Sequence, residues 1–209
     1  MTAVAATGFA RARLLEAAFE EFAQHGLAGA RVDRIAEAAQ ANKRLIYVYY
    51  GNKEELFDAV LTQRVGALFD AIPFTTADLP SFAGALFDHL LANPKLLRLG
   101  TWRQLERADS PTAEIEWSRE KLEAIARAQK HGVITTDLEP ADLLVLLLGM
   151  VTSRFHIAHA VSDLATEDGW SPQRLYQHRA ALTTAVRRLV APSPHPEPYS
   201  TDTERSIPD

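Results

Sequence analysis

Residues 43–53 read KRLIYVYYGNK. Tyr47, Tyr49 and Tyr50 sit there beside Lys43, Arg44 and Lys53, in a stretch that otherwise carries a helical pattern. Such a helix is too charged for a core and too aromatic for an ordinary solvated face. At about 100° per residue, Ile46 and Tyr50 share one narrow sector, which predicts that they pack inward. Arg44, Leu45 and Val48 lie opposite. Tyr47 and Tyr49 fall on the two flanks, where a ring can rest on the protein while its hydroxyl reaches outward. Asn42, just before the stretch, is a strong N-cap. Gly51–Asn52 ends the helix and Lys53 opens the next, expected to run to about Ala71.

Upstream, Phe9–His25 places Leu15, Ala18, Phe19 and Phe22 at helical spacing. Gly26 follows as a C′ residue. A short helix fits Val32–Ala39, with Ile35 and Ala39 facing inward, and Gln40–Ala41 makes a tight turn. Two short helices joined by such a turn and preceded by a packing helix form a helix-turn-helix, whose second helix enters the DNA major groove. In that placement Lys43 and Arg44 occupy the first turn, which meets base edges. Arginine pairs with guanine O6 and N7, and Leu45 or Val48 can touch a thymine methyl. Tyr47 and Tyr49 can reach phosphates on either groove wall. Lys53, at a helix N-terminus, attracts a phosphate through both its ammonium and the helix end.

Charge distribution agrees with one anion-facing end. Residues 1–53 carry seven Lys/Arg against five Asp/Glu, and the remaining 156 carry 15 against 22, within a net charge of −5. With 209 residues, 47% apolar and 23% charged, the composition is that of a soluble globular protein. The absence of cysteine excludes disulfides, thiolate metal sites and thiol redox sensing. No apolar signal segment opens the chain, and the longest apolar run, Leu143–Val151, is too short to span a bilayer. A cytoplasmic protein with no membrane partner is expected.

Helical patterning continues beyond the break IPFTTADLP at residues 72–80. Expected helices are Ser81–Ala92, Pro94–Arg107, Thr112–His131, Pro140–Val161 and Pro172–Val190, three of them opening on a proline suited to a first turn. No run of alternating β-branched residues predicts a strand. The fold expected is all-α, about nine helices. The Pro-rich, polar residues 192–209 predict a disordered tail.

The segment RARLLEAAFEEFAQHGLAGARVDRIAEAAQANKRLIYVYYGNKEELFDAVL, residues 11–61, resembles the TetR family of bacterial transcriptional regulators. LIYVYYGNKEELF is similar to that family's Leu-Tyr-x-Tyr-Phe-x-x-Lys-Glu-x-Leu signature. The resemblance covers about a quarter of the chain, and the remainder agrees in length and helix count. It implies a ligand-responsive repressor that binds a pseudo-palindromic DNA operator as a homodimer, without cofactor or enzymatic activity. It assigns DNA contact to Lys43, Arg44, Leu45, Tyr47, Val48 and Tyr49, phosphate binding to Lys53, and core positions to Ile46 and Tyr50. It divides the chain into a DNA-binding domain at 1–53 and a ligand-binding and dimerisation domain at 54–191.

Three positions depart from the family pattern. Ala30 and Arg31 stand where hydroxyl residues usually open the second helix. A lost hydroxyl cap costs about 1 kcal/mol, while Arg31 can replace the phosphate contact with a charge. Gln40 stands at the usual turn glycine, at a cost of roughly 1–2 kcal/mol if the site is left-handed. Arg44 stands where a small residue is common, which points to a G·C pair in the operator.

Outside this segment the residues are less specific. Leu99, Trp102, Leu105 and Glu106 form one broad stripe, and Leu148, Thr152, Phe155 and His159 another, with His156 beside it. Apolar stripes interrupted by such groups suit the lining of a small-molecule site, with Phe87 a further candidate, or else core and dimer interface. Trp117 lies opposite the Ile115–Leu122–Ile125 stripe and is left outside the candidate pocket. His156 and His159 suit a metal pair, but no third ligand is evident and no metal is expected. Leu175, Leu182, Val186 and Leu189 form the apolar stripe expected to carry dimerisation, beside the helix around Leu143–Val151. No catalytic motif is found. On the residues alone, a helical ligand-binding protein or enzyme with an unused helix-turn-helix, and a purely structural dimer, stay open beside the regulator.

Overall fold

The computed structural model describes residues 3–107, 112–156 and 170–192. Among the described residues the chain forms nine helices and no strand. These are α1 Ala3–Gly29, α2 Val32–Ala38, α3 Lys43–Tyr50, α4 Lys53–Ala71, α5 Leu79–Ala92, α6 Pro94–Glu106, α7 Thr112–Lys130, α8 Pro140–His156 and α9 Pro172–Val190. The tail expected to be disordered lies, from residue 193 onward, outside the described residues, as do the last five residues of the helix expected over Pro140–Val161.

Local chemistry sets the boundaries. The Asn42 side chain accepts the Arg44 N–H at 2.8 Å and starts α3, and Gly51 at φ 77° ends it. Asn52 accepts the Glu55 N–H at 2.7 Å and donates to the Glu55 carboxylate at 3.0 Å, while Glu54 and Glu55 complement the positive end of α4. Asp78 caps α5 by accepting the Ser81 N–H at 3.0 Å. Hydrogen bonding from the Ser81 side chain and backbone, backed by nearby Arg187, holds the Asp78 carboxyl below the usual range. Ser171 caps α9, ahead of Pro172 in the first turn. Gly26 does more than close the first helix: with φ 67° and ψ −177° it kinks α1, and a last helical turn follows it.

Two cores result. The first joins α1 to α4, with Leu14, Ala18 and Phe22 meeting Ile35, Ile46, Tyr50, Phe57 and Leu61. The Phe22 and Phe57 rings meet edge to face at 5.0 Å. Because Leu56, Phe57, Val60 and Leu61 of α4 and Leu99 of α6 belong to this core, its packing extends beyond residue 53. The second core joins α5, α7, α8 and α9 through Phe82, Phe87, Ile125, Leu143, Leu147 and Val186. The most extensive packing between helices is α1 on α6, followed by α5 on α9. Helices α4 and α6 therefore belong to the first core on one side and face the second on the other.

Candidate nucleic-acid interface and cavity

The exposed face of α3 is built by its own wheel. Ile46 and Tyr50 are buried, as their shared sector predicts. The Tyr50 hydroxyl donates to the Arg11 carbonyl at 3.4 Å, and burial raises its pKa. Tyr47 and Val48 are 46% and 64% exposed, and Lys43 and Arg44 are exposed beside them. Leu45 and Tyr49 are half-buried against the first core, so each offers an edge rather than a whole side chain.

The cations differ in freedom. Lys43 pairs with the exposed Asp33 of α2 at 2.8 Å, and that hydrogen bond raises its pKa. Lys53 donates from Nζ to the Ala30 carbonyl at 3.3 Å, at the junction of α1 and α2. The Arg31 and Arg44 side chains are exposed and hold no protein partner among the described residues. Arg44 is therefore the freest cation on the α3 face.

Arg31 opens α2 without a side-chain cap of its own. Glu21 of α1 supplies what is missing. Its carboxylate accepts the Arg31 N–H at 2.8 Å and also binds the Arg34 guanidinium. Burial alone would raise the Glu21 pKa, but the hydrogen bonds from Arg34 and the Arg31 amide outweigh it and hold it below the usual range. Gln40 sits at φ 48°, the left-handed conformation that the turn demands, where the amides of Gln40 and Ala41 close onto the Glu37 and Ala36 carbonyls at 2.9 Å. Glu21 and Asp33 escaped the sequence reading because each acts on a residue ten positions away.

Behind the first core lies a cavity of about 270 Å³, near the lower end of small-ligand sites. It lies between α4, α5, α6, α7 and α8 and is mostly apolar, with Leu68, Phe69, Phe82 and Leu86 among its walls. Arg103 and Glu114 form an ion pair in its wall, and Gln104, Ser118, Thr152 and His156 add polar groups. Trp117 lines it too, stacked on Phe69 at 4.1 Å. Trp117, expected outside the pocket, reaches its wall because Phe69 of α4 stacks on it, a contact its own helix gives no sign of.

Of the residues on the stripes expected to line a pocket, Leu99, Leu148, Thr152 and His156 do so, whereas Leu105 is exposed. Phe87 is buried in the second core, between Phe155 and His178, with ring centroids 5.8 and 5.4 Å away, so Phe87 and Phe155 pack against each other rather than line the cavity. Trp102 and Glu106 face α1 instead. His159 lies outside the described residues.

The stripe expected at a dimer interface is also placed inside the protomer. Leu182 and Val186 are fully packed in the second core, with Leu175 and Leu189 half-buried against it. Large apolar groups left exposed on α8 and α9 are Val145, Leu146 and Tyr176. No helix among the described residues is long and apolar enough to cross a membrane.

Comparison with known proteins agrees with this arrangement. Residues 14–60 match the family model described as bacterial regulatory proteins, tetR family, and residues 78–188 match the tetracyclin repressor-like C-terminal domain. The HTH-type transcriptional repressor SCO4008 of Streptomyces coelicolor is 45% identical over 147 residues, 67% of this chain and 75% of the relative. The HTH-type transcriptional repressor AcnR of Corynebacterium efficiens is 30% identical over 85% of this chain and 93% of the relative. Among solved structures, the putative transcriptional regulator SCO4942 of Streptomyces coelicolor superposes with a TM-score of 0.75 at 38% identity, covering 88% of this chain and 99% of that one.

Proposed function

The chain belongs to the TetR family of bacterial transcriptional regulators, and on that premise we propose that it is a cytoplasmic, ligand-responsive repressor that binds a pseudo-palindromic operator as a homodimer. The observation that carries the DNA-binding part is the α3 face. Arg44, Tyr47 and Val48 stand exposed in a row on a helix capped by Asn42, with Lys53 fixed at the next helix start. Arg44 and the edge of Leu45 read bases, with Val48 beside them. Lys43 shares the first turn with Arg44 and meets base edges too, while Tyr47, Tyr49, Arg31 and Lys53 hold the backbone on the two groove walls.

Dimerisation is assigned to α8 and α9, whose exposed Val145, Leu146 and Tyr176 would be covered by the same helices of a second copy. The two α3 helices then meet successive major grooves, about one helical turn apart. The cavity takes a small, mostly apolar effector with a few hydrogen-bonding groups. We assign it to binding rather than to turnover. An effector that prefers the arrangement unsuited to DNA needs a coupling of only about 1–3 kcal/mol to release the operator. Helix α4, with Lys53 at one end and Leu61, Val65 and Phe69 at the cavity, is one route for that coupling.

The test is selection of bound duplexes from a random pool, followed by titration across salt concentrations. A palindromic preference is expected, with affinity falling as salt rises. Lys53→Ala should weaken all sequences alike and reduce the salt slope by about one unit. A purified protein with no salt-dependent duplex preference would refute the reading.

A further inference from the structure

Helix α6 touches the cavity with one face and the DNA-binding unit with another. Leu99, Gly100, Thr101, Arg103 and Gln104 line the cavity. Trp102 and Glu106 instead reach the kink of α1. Positive φ at Gly26 breaks the helical backbone of α1, so the amides just beyond it open a new turn, as at a helix start. Glu106 takes them: its two carboxylate oxygens accept the N–H groups of Leu27 and Ala28, the latter at 3.2 Å. It is a helix cap delivered from another helix, nearly eighty residues later in the chain.

Glycine is required at the socket. A Cβ on Gly26 would stand 2.8 Å from the Trp102 ring and 2.9 Å from Glu106 Oε1. Leu27 is itself buried, so an amide released by Glu106 has poor access to water. The segment held this way is short and leads directly to the DNA face. Ala30, two residues beyond Ala28, gives its carbonyl to the Lys53 ammonium, and Arg31 opens α2. At its other end α6 is tied to the same helix by the Lys95–Glu20 pair. It thus lies along α1 with the clasp at its C-terminal turn.

We infer that Glu106 is a positioning residue that relays occupancy of the cavity to the DNA face, by holding or releasing the amides of Leu27 and Ala28. The inference rests on the reading of the cavity as an effector site. A guest that displaces Arg103 or Gln104 must rotate or shift the last turn of α6, and Glu106 sits on that turn. Loss of the clasp loosens residues 27–31, and Lys53 and Arg31 lose their fixed distance from α3.

The absence of cysteine makes a direct test possible. Thr152→Cys places a lone thiol in the cavity wall, and N-phenylmaleimide fills the space when the thiolate adds to its double bond. Affinity for the duplex recovered by selection and hydrogen exchange over residues 26–31 are then measured before and after labelling. The measurements are made with Glu106 intact and with Glu106→Gln or Glu106→Ala. With Glu106 present, labelling is expected to lower duplex affinity about tenfold, mid-range for allosteric coupling, and to speed exchange at Leu27 and Ala28. With Glu106→Ala, exchange there is fast from the start and labelling changes affinity less than about twofold, well under that coupling range. Glu106→Gln, keeping one acceptor oxygen and the side-chain volume, should respond in between. Full response in both Glu106 variants, or lost affinity with unchanged exchange at Leu27 and Ala28, would overturn the relay and leave the effector reading standing. No change in affinity in any background would instead remove the effector reading, and the relay with it.

Discussion

Replacing Glu21 separates two things that this carboxylate does at once. It accepts the Arg31 amide that opens α2, and it neutralises Arg34. Losing the cap costs about 1 kcal/mol. Losing charge-assisted bonds to a guanidinium costs about 1.5–3 kcal/mol where both groups are buried. Here the Glu21 side chain is only 10% exposed, but Arg34 is 41% exposed and rehydrates when freed, so the lower end of that range or less applies. Glu21→Ala should therefore cost about 2 kcal/mol, a fall of roughly 4–8 °C in Tm for a chain of this size. Glu21→Gln, which keeps an acceptor for the Arg31 amide, should cost about half as much, on the order of the cap bond it retains.

The pH dependence fixes the cause. The folded carboxyl titrates below its ordinary value of 4.5. Its contribution is therefore complete above that pH and is lost as pH falls through the folded value. Urea denaturation should show the gap between the native chain and Glu21→Gln constant from pH 7 down to about 5, then narrowing on further acidification. Glu21→Ala should also weaken duplex binding, since Arg31 loses its anchored backbone. Unfolding of Glu21→Ala at the native midpoint at pH 7, or a gap to Glu21→Gln indifferent to acid, would refute this account.

Arg44→Ala should remove preference at one base pair of each half-site, about 1–3 kcal/mol per contact, with an unchanged Tm because the side chain has no partner to lose; a loss equal for all sequences would make it a phosphate contact. Gln40→Gly should raise stability by about 1 kcal/mol, the left-handed strain removed less part of the glycine entropy cost; an unchanged or lowered Tm would contradict strain at φ 48°. Val145→Glu with Leu146→Glu should yield a monomer by sedimentation with weakened duplex affinity, whereas a native-like dimer would place the interface elsewhere.

What the sequence made legible was set by neighbours a few residues apart. Ile46 and Tyr50 follow from the wheel of one helix, and the Asn42 cap and prolines 94, 140 and 172 act within their own first turns. The cavity is different, because five helices must be placed before Trp117 meets Phe69. Leu182 and Val186 show the same limit. An apolar stripe on α9 has one pattern whether α5 or a second copy covers it, and α5 does. Gly26 carried a correct local signal, positive φ, but nothing near it in sequence indicates that Glu106 caps the turn beyond.

The three departures from the family pattern differ in what surrounds them. Arg31 lacks a hydroxyl cap, yet Glu21 satisfies its amide. Gln40 adopts a conformation that glycine would take with less strain, and the backbone bonds closing α2 hold it there. Both departures are absorbed inside the protein, at a modest cost in stability. Arg44 is not: its backbone is capped by Asn42, but its guanidinium projects from α3 without a partner among the described residues. Its exposed side chain makes no polar contact with the rest of the fold among the described residues. The role proposed for it is to meet a base edge, and guanine O6 and N7 match its fork of donors. Of these departures it is the one that can set an operator apart from those of relatives carrying a small residue there.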